Sequence, residues 1–591
     1  MKTFFTSLLG TLVGLAIFTF VGFLLVVGIV AALSSGLGSP EKKTVEKRSV
    51  LFLKLDGNMA DRGKEQPFQL EELDGILPPN VLGVNDILRA LASAKEDSKI
   101  DGIMLNVGTP SIGLASMQEI RNALSDFKKS GKFVYSYNNQ LSQVAYFVSS
   151  VADSVFLNPE GNLAWHGLGY QVMFFKEALA KLGVEPQIIR HGTFKAAVEP
   201  FMYTKMSPEN RKQCESFTST MWNSVVDAVS KSRKISPEEL NRIANELEVF
   251  DAPTALANKF VDKLLYRDEF MSRLTKLTDQ NKEADLKLVN ISDYVGSIER
   301  DAESHNADKI AVIYATGEIS MGTGDDNKIG AASLGDAIRE VREDSTIKAV
   351  VLRINSPGGD ALASDIIWRE LELTRPVKPI VVSMGDLAAS GGYYIACNAN
   401  YIYAQPATIT GSIGVFGLFF NVNNLLNTKL GITTDVVKTN THADALTITR
   451  PLDETELAVA HRSVEKVYNT FTTHVAAGRK MPIEKVLQIA EGRVWAGKDA
   501  LQLGLVDSIG GLAQAIVKAQ QLAKLTKYRT VDYPKQKDPI EELFGGAKTK
   551  IQHSILQDKL GESYQYVNRI EALQQLRGIQ ARMPFFADFT K

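Results

Sequence analysis

A serine followed by two glycines is the first feature of this sequence that could do chemistry. Ser390 lies between Ile380–Ser383, a short apolar β-branched run that reads as a buried strand, and Tyr393–Ala396, which can start a helix after a Gly/Asp break. Gly391 and Gly392 carry no Cβ, so a carbonyl can approach the hydroxyl closely while the exposed amides face it. The same residues would also suit an N-cap and a turn. A serine nucleophile needs a base, and no GxSxG, HExxH, paired CxxC or Walker motif supplies a familiar one. Of the seven histidines, His191, His442 and His474 are the ones that geometry could bring to a Ser-His-Asp site. The alternative base is a lysine kept neutral by desolvation. Lys195 stands out, in H-G-T-F-K-A-A-V-E-P (His191–Pro200), with small and apolar neighbours after a glycine turn. A second glycine turn, I-N-S-P-G-G-D (Ile354–Asp360), ends a strand. One amide from such a turn and one after the nucleophile could hold a tetrahedral oxyanion.

The elements that must position these groups are repeated along the chain. Val50–Leu55 reads as a strand, Val84–Ala94 as a helix and Gly102–Val107 as a second strand before Pro110. Downstream, Ile310–Tyr314, Leu334–Val341 and Ala349–Ile354 before Pro357 give the same order. Asp97, Leu105, Pro110, Ser136, Tyr146, Pro159 and Gly167 match Asp344, Leu352, Pro357, Ser383, Tyr393, Pro406 and Gly414, each 247 positions on. A gap-free match over roughly 70 residues indicates an internal duplication. At this offset Gln143, Val144 and Ala145 replace Ser390, Gly391 and Gly392, and Ser111 and Ile112 replace Gly358 and Gly359. Strands alternating with helices predict α/β units with mostly parallel sheets.

The expected division is an anchor and its flanks at 1–40, a first repeat at 50–265, a polar linker at 266–308, most evident over Thr275–Asp308, a second repeat at 309–523 and a tail at 524–591. In the tail, Tyr566–Leu576 reads as an amphipathic helix. Leu8–Leu33 is uncharged over about 26 residues, long enough to span a bilayer as an uncleaved helix. Lys42, Lys43, Lys47 and Arg48 follow it while only Lys2 precedes it, so the positive-inside rule alone puts the large part in the cytoplasm. A net charge of −2, with no basic patch interleaved with aromatics, gives no nucleic-acid signature. Two cysteines, Cys214 and Cys397, cannot form a disulfide framework or a cysteine-based zinc site.

Together, I-N-S-P-G-G, S-M-G-D-x-A-A-S-G-G-Y-Y-I, T-G-S-I-G-V-F-G and the upstream G-T-F-K-A-A-V-E-P resemble the long form of the signal peptide peptidase A (protease IV) family. The resemblance covers nearly the whole chain. It implies a tandem duplication of a Clp/crotonase-like α/β domain behind one transmembrane helix, and a Ser-Lys serine endopeptidase acting on signal-peptide remnants and other short or unfolded peptides. Ser390 would be the nucleophile and Lys195 its general base and acid. Ser412 would orient Lys195, and the amides of Gly359 and Gly391 would line the oxyanion hole. The first copy kept the lysine and lost the serine, whereas the second has His442 and Ala443 where the lysine aligns; the site should therefore form where the halves meet. No metal, nucleotide or other cofactor is implied. The family also implies a homo-tetramer on the inner (cytoplasmic) membrane, its catalytic part outside the cytoplasm, against the local Lys/Arg count. Two readings compete: a catalytically inactive membrane scaffold on this fold, which has no reason to keep Ser390, Lys195 and the glycine pairs together, and a crotonase-like acyl-CoA enzyme, which needs neither the serine nor an anchor.

Overall fold

The computed structural model describes residues 10–22 (apart from 12 and 16), 45–64, 81–280, 282–301, 308–536 and 578–583. Residues up to Glu46 form one unit and Lys47–Lys591 another. No helix among the described residues is long and apolar enough to cross a membrane. Most of Leu8–Leu33, and all of the tail helix expected at Tyr566–Leu576, lie outside the described residues.

The larger unit holds two sheets of matching order. The first is parallel throughout, running Lys263–Leu264, Ser154–Leu163, Phe133–Leu141, Ile100–Pro110, Ser49–Gly57, Leu288–Asn290. The second places Ile380–Ala389, Ile347–Ser356, Lys309–Thr316 and Arg529–Tyr533 side by side in parallel. Tyr401–Ala404 and Ser508–Ile509 extend it in parallel, while Ile409–Gly411 pairs antiparallel with Val494–Ala496. Val350, Val351, Leu352, Val381 and Val382 are all buried, as expected of central parallel strands covered on both faces.

Two expectations are corrected. The strand leading to Ser390 does not break at Gly385–Asp386 but continues to Ala389. Asn355 holds this stretch, its side-chain oxygen accepting from the Leu387 amide at 3.1 Å. The region 266–308 is also not merely a polar linker. Helix Arg267–Leu277 buries Phe270, Met271 and Leu274 against the first sheet, and Leu288–Asn290 forms that sheet's edge. Its apolar residues recur at helical spacing among Arg267, Asp268, Glu269 and Arg273, and the charges mask the pattern. The second copy does the same beyond 523, where Arg529–Tyr533 pairs with Lys309–Ile313.

A third sheet joins the halves. Its order is Lys328–Gly330, Glu318–Ser320, Gly358–Asp360, Gly578–Arg582, Val415–Asn421, Glu185–His191. Glu185–His191 comes from the first copy and pairs antiparallel with Val415–Asn421 of the second, His191 opposite Val415. Ile189 thereby enters the second copy's core beside Ile413 and Val415. Buried charge ties the copies elsewhere. Arg353 of the second is fully buried and pairs with Asp61 and Glu119 of the first, each at 2.6 Å. Asp386 accepts from the Gly113 amide at 3.1 Å, the Ser116 amide at 3.0 Å and the Ser116 hydroxyl at 2.7 Å.

Candidate active site

Ser390 caps the short helix Gly391–Ala396 with φ 56° and ψ −113°, a conformation that costs a β-carbon-bearing residue roughly 1–3 kcal/mol and is retained where the surroundings enforce it. Here the enforcement comes from the preceding strand and from the Ser390 amide, which donates to the Gly411 carbonyl at 2.8 Å. Gly358, at φ 92°, sits under this turn. A methyl there would lie 2.6 Å from the Gly391 amide nitrogen, so only glycine lets the two turns approach. Gly359 and Gly391 thus lie on adjacent, tightly packed turns.

The partner of Ser390 comes from the first copy. The Lys195 amine lies 2.8 Å from Ser390 Oγ, 3.1 Å from Ser412 Oγ and 3.2 Å from the Ser412 carbonyl oxygen. Lys195, Ser390 and Ser412 are each 0% exposed. Burial holds the Lys195 amine well below its usual range, and no carboxylate among the described residues counteracts it. A neutral amine has two N–H bonds and one lone pair. The Ser412 carbonyl can only accept and its hydroxyl can also accept, so satisfying both leaves the lone pair for the Ser390 proton. Ser412 itself has φ 51°, and its amide donates to the Arg493 carbonyl at 2.7 Å.

The lysine arrives on the arm that follows strand Glu185–His191, and the second copy grips this arm through residues that motif reading did not single out. The Glu491 carbonyl accepts from the Phe194 amide at 2.9 Å. Its carboxylate accepts from the Thr193 amide at 3.0 Å and the Thr193 hydroxyl at 3.1 Å. Gly492, at φ 75°, lies so close that a methyl on it would sit 2.6 Å from Lys195 Cβ. Buried Gln213, on helix Pro208–Arg233, donates to the Phe194 carbonyl at 3.1 Å and accepts from the Val494 amide at 3.1 Å. It therefore clamps the lysine arm to the strand beside Ser412. Nothing local marks these residues; their roles exist only once the halves are docked.

The three candidate histidines stand elsewhere. His191 stacks on Tyr468, His442 lies 3.3 Å from Asp453, and His474 stacks on Trp368 with Asp365 at 3.3 Å. Cys214 and Cys397 are buried and unpaired with each other. Among the described residues no group of His, Cys, Asp or Glu could hold a metal ion.

Against known proteins, the model of peptidase family S49 matches residues 126–281 and again 372–526. The chain belongs to peptidase family S49. It is a serine peptidase, and its duplication is that of the family domain, once in each half. "Protease 4" of Haemophilus influenzae is 36% identical over 85% of this chain and 83% of its own length. "Protease 4" of Salmonella typhi is 36% identical over 86% and 84%, and the "Serine protease SPPA, chloroplastic" of Arabidopsis thaliana is 31% identical over 91% and 78%.

Proposed function

We propose that this serine peptidase is an endopeptidase acting through a Ser390–Lys195 dyad on short or unfolded peptides, signal-peptide remnants among them. One observation carries the reading: a fully buried lysine, without a carboxylate partner among the described residues, 2.8 Å from a serine on a strained turn. Neutral Lys195 takes the Ser390 proton as Oγ attacks the peptide carbonyl. The amides of Gly359 and Gly391 hold the oxyanion, and protonated Lys195 passes its proton to the leaving amine. Water deprotonated by the same lysine then hydrolyses the acyl ester. Ser412 keeps the amine oriented through both steps. A scaffold or a crotonase-like acyl-CoA enzyme gives no reason for this lysine to be buried on a serine.

Leu8–Leu33 is proposed to anchor the chain in the inner (cytoplasmic) membrane with the catalytic part outside the cytoplasm. A reporter fused after Ala523 that is active only in the cytoplasm would reverse this orientation. The proposed homo-tetramer has support in an asymmetry. Residues 431–443, the second copy's counterpart of the lysine arm, form no strand and are exposed throughout, the apolar Ile432, Val436 and Val437 included. Residues 168–174, the first copy's counterpart of the strand that receives this arm, also form no strand. Each chain thus offers an arm and a receiving segment that a neighbouring chain could pair, head to tail, and such contacts close into a ring where the rotation between neighbours closes. Light scattering of the detergent-solubilised protein tests the number of chains.

The central test is labelling with a serine-reactive fluorophosphonate, the adduct located by peptide mass. An adduct on Ser390 that disappears in Lys195→Ala is expected. Labelling of Ser390 at an undiminished rate in Lys195→Ala would remove the dyad.

A further inference from the structure

A site that must receive a peptide carbonyl is here closed to water: Ser390, Lys195 and Ser412 have no exposed surface. The element over the glycine turns is the late strand Gly578–Arg582. It lies between Gly358–Asp360 and Val415–Asn421, antiparallel to both, with Ala581 opposite Gly359 and Gln580 opposite both Asp360 and Phe416. An extended peptide entering a serine peptidase groove would pair with backbone rails in this way.

The register brings a specific carbonyl to the site. The Met583 amide donates to the Pro357 carbonyl at 2.7 Å. Hydrogen-bonded pairs alternate along an antiparallel ladder, so two residues on, the Gly359 amide faces the Ala581 carbonyl. That oxygen would lie 2.2 Å from a methyl on Gly358 and 3.0 Å from one on Gly391. The Ala581 carbonyl thus stands among the glycines whose amides would hold an oxyanion, with Arg582 on the leaving side. There the Arg582 guanidinium pairs with Glu318 at 2.7 Å, both side chains largely buried. Glu318 belongs to Glu318–Ser320, whose Ile319 pairs with Gly359, so its place is fixed relative to the glycine turn.

The two rails do not need this strand between them. Val415–Asn421 is paired along its other edge with Glu185–His191, and Gly358–Asp360 with Glu318–Ser320. Such a strand can leave without unravelling its neighbours. We propose that Gly578–Arg582 is the chain's own ligand for its peptide groove, which substrates must displace, and that Glu318 selects a cationic side chain immediately after the scissile bond. The proposal rests on the Ser390–Lys195 reading above.

The test compares wild type, Arg582→Glu and the charge-swapped double variant Arg582→Glu with Glu318→Arg, all as full chains. The readouts are the rate of fluorophosphonate labelling at Ser390 and inhibition of peptide hydrolysis by the synthetic hexapeptide Gly-Ile-Gln-Ala-Arg-Met. Arg582→Glu places like charges together and is expected to raise labelling about tenfold, the swap returning it near the wild-type rate. Against Arg582→Glu the hexapeptide should inhibit about tenfold better than its Arg-to-Glu analogue, and Glu318→Arg should reverse that order. A variant lacking residues 578–591 gives the same labelling comparison if Arg582→Glu does not fold. Labelling of Ser390 at equal rates in wild type and both strand variants overturns the proposal while leaving the dyad intact. Absence of Ser390 labelling in every form overturns the dyad, and this proposal with it.

Discussion

The two copies share a sheet order but treat the same place in opposite ways. In the second, Ser390 and Ser412 have positive φ, and a lysine is buried between them. In the first, Gln143 stands where the serine would be, and its side-chain oxygen accepts from the His166 amide at 3.0 Å and the Gly167 amide at 2.9 Å. Trp165 stands where Ser412 would be, fully buried against Tyr146, Trp222 and Phe260, its indole donating to the Leu240 carbonyl at 2.9 Å. Ser111, in place of Gly358, is tied to Met59. One copy has thus converted the site into satisfied packing, while the other retains strain and a desolvated amine. The difference teaches that the arrangement proposed to be reactive is costly in stability, and such arrangements persist where function uses them.

The comparison can be broken most forcefully at the dyad. Ser390→Ala and Lys195→Ala should each lower kcat/KM for a peptide substrate by about 10⁴-fold or more, and Lys195→Arg should fail as well because a guanidinium stays charged. Gln143→Ser should create no second site, since among the described residues the side chain at this position meets the backbone of His166 and Gly167 and not a lysine. Full activity in Lys195→Ala would erase the distinction between the copies.

The next effect concerns what holds them together. Arg353→Met leaves Asp61 and Glu119 buried without their cation, and chemical denaturation should show a loss of about 3–5 kcal/mol. Gln143→Ala should cost about 1–3 kcal/mol by removing the shared acceptor of two part-buried amide hydrogen bonds, with peptide hydrolysis unchanged.

The smallest effect carries a sign. A lysine whose amine is depressed in the folded state binds fewer protons folded than unfolded between its two pKa values, so stability rises with pH across that window. The penalty is fully present below the folded value and vanishes above the ordinary lysine range near 10.5. Lys195→Met should therefore stabilise the protein by about 1–2 kcal/mol at neutral pH, and the gain should vanish above the lysine range. In the active protein the same depression places the rising limb of the kcat/KM profile below that range. A rising limb at the ordinary lysine value would contradict a desolvated base.

Much of this was legible because it is local. The strand-turn-helix around Ser390, the Pro357–Gly358–Gly359 turn and the 247-residue offset each occupy continuous sequence. The S49 match to each half agrees with the duplication. The contacts that dock the halves were not legible. Gln213 and Glu491 are ordinary polar residues until the lysine arm crosses to the second copy, and Gly492 matters only because Lys195 Cβ lies against it. Gly578–Arg582 reads GIQAR, without the β-branched alternation of a strand, because its pairing comes from the two rails that flank it. Helix Arg267–Leu277 was hidden by its charges.

Splitting the proposed dyad between halves also sets an order during synthesis. Lys195 leaves the ribosome long before Ser390, on an arm whose strand Glu185–His191 has no edge to join until Val415–Asn421 has been made. Domains emerge and fold from the amino-terminal end. On the proposed mechanism the growing chain carries a base with nothing to deprotonate, and becomes a peptidase only when its second half has closed around the first.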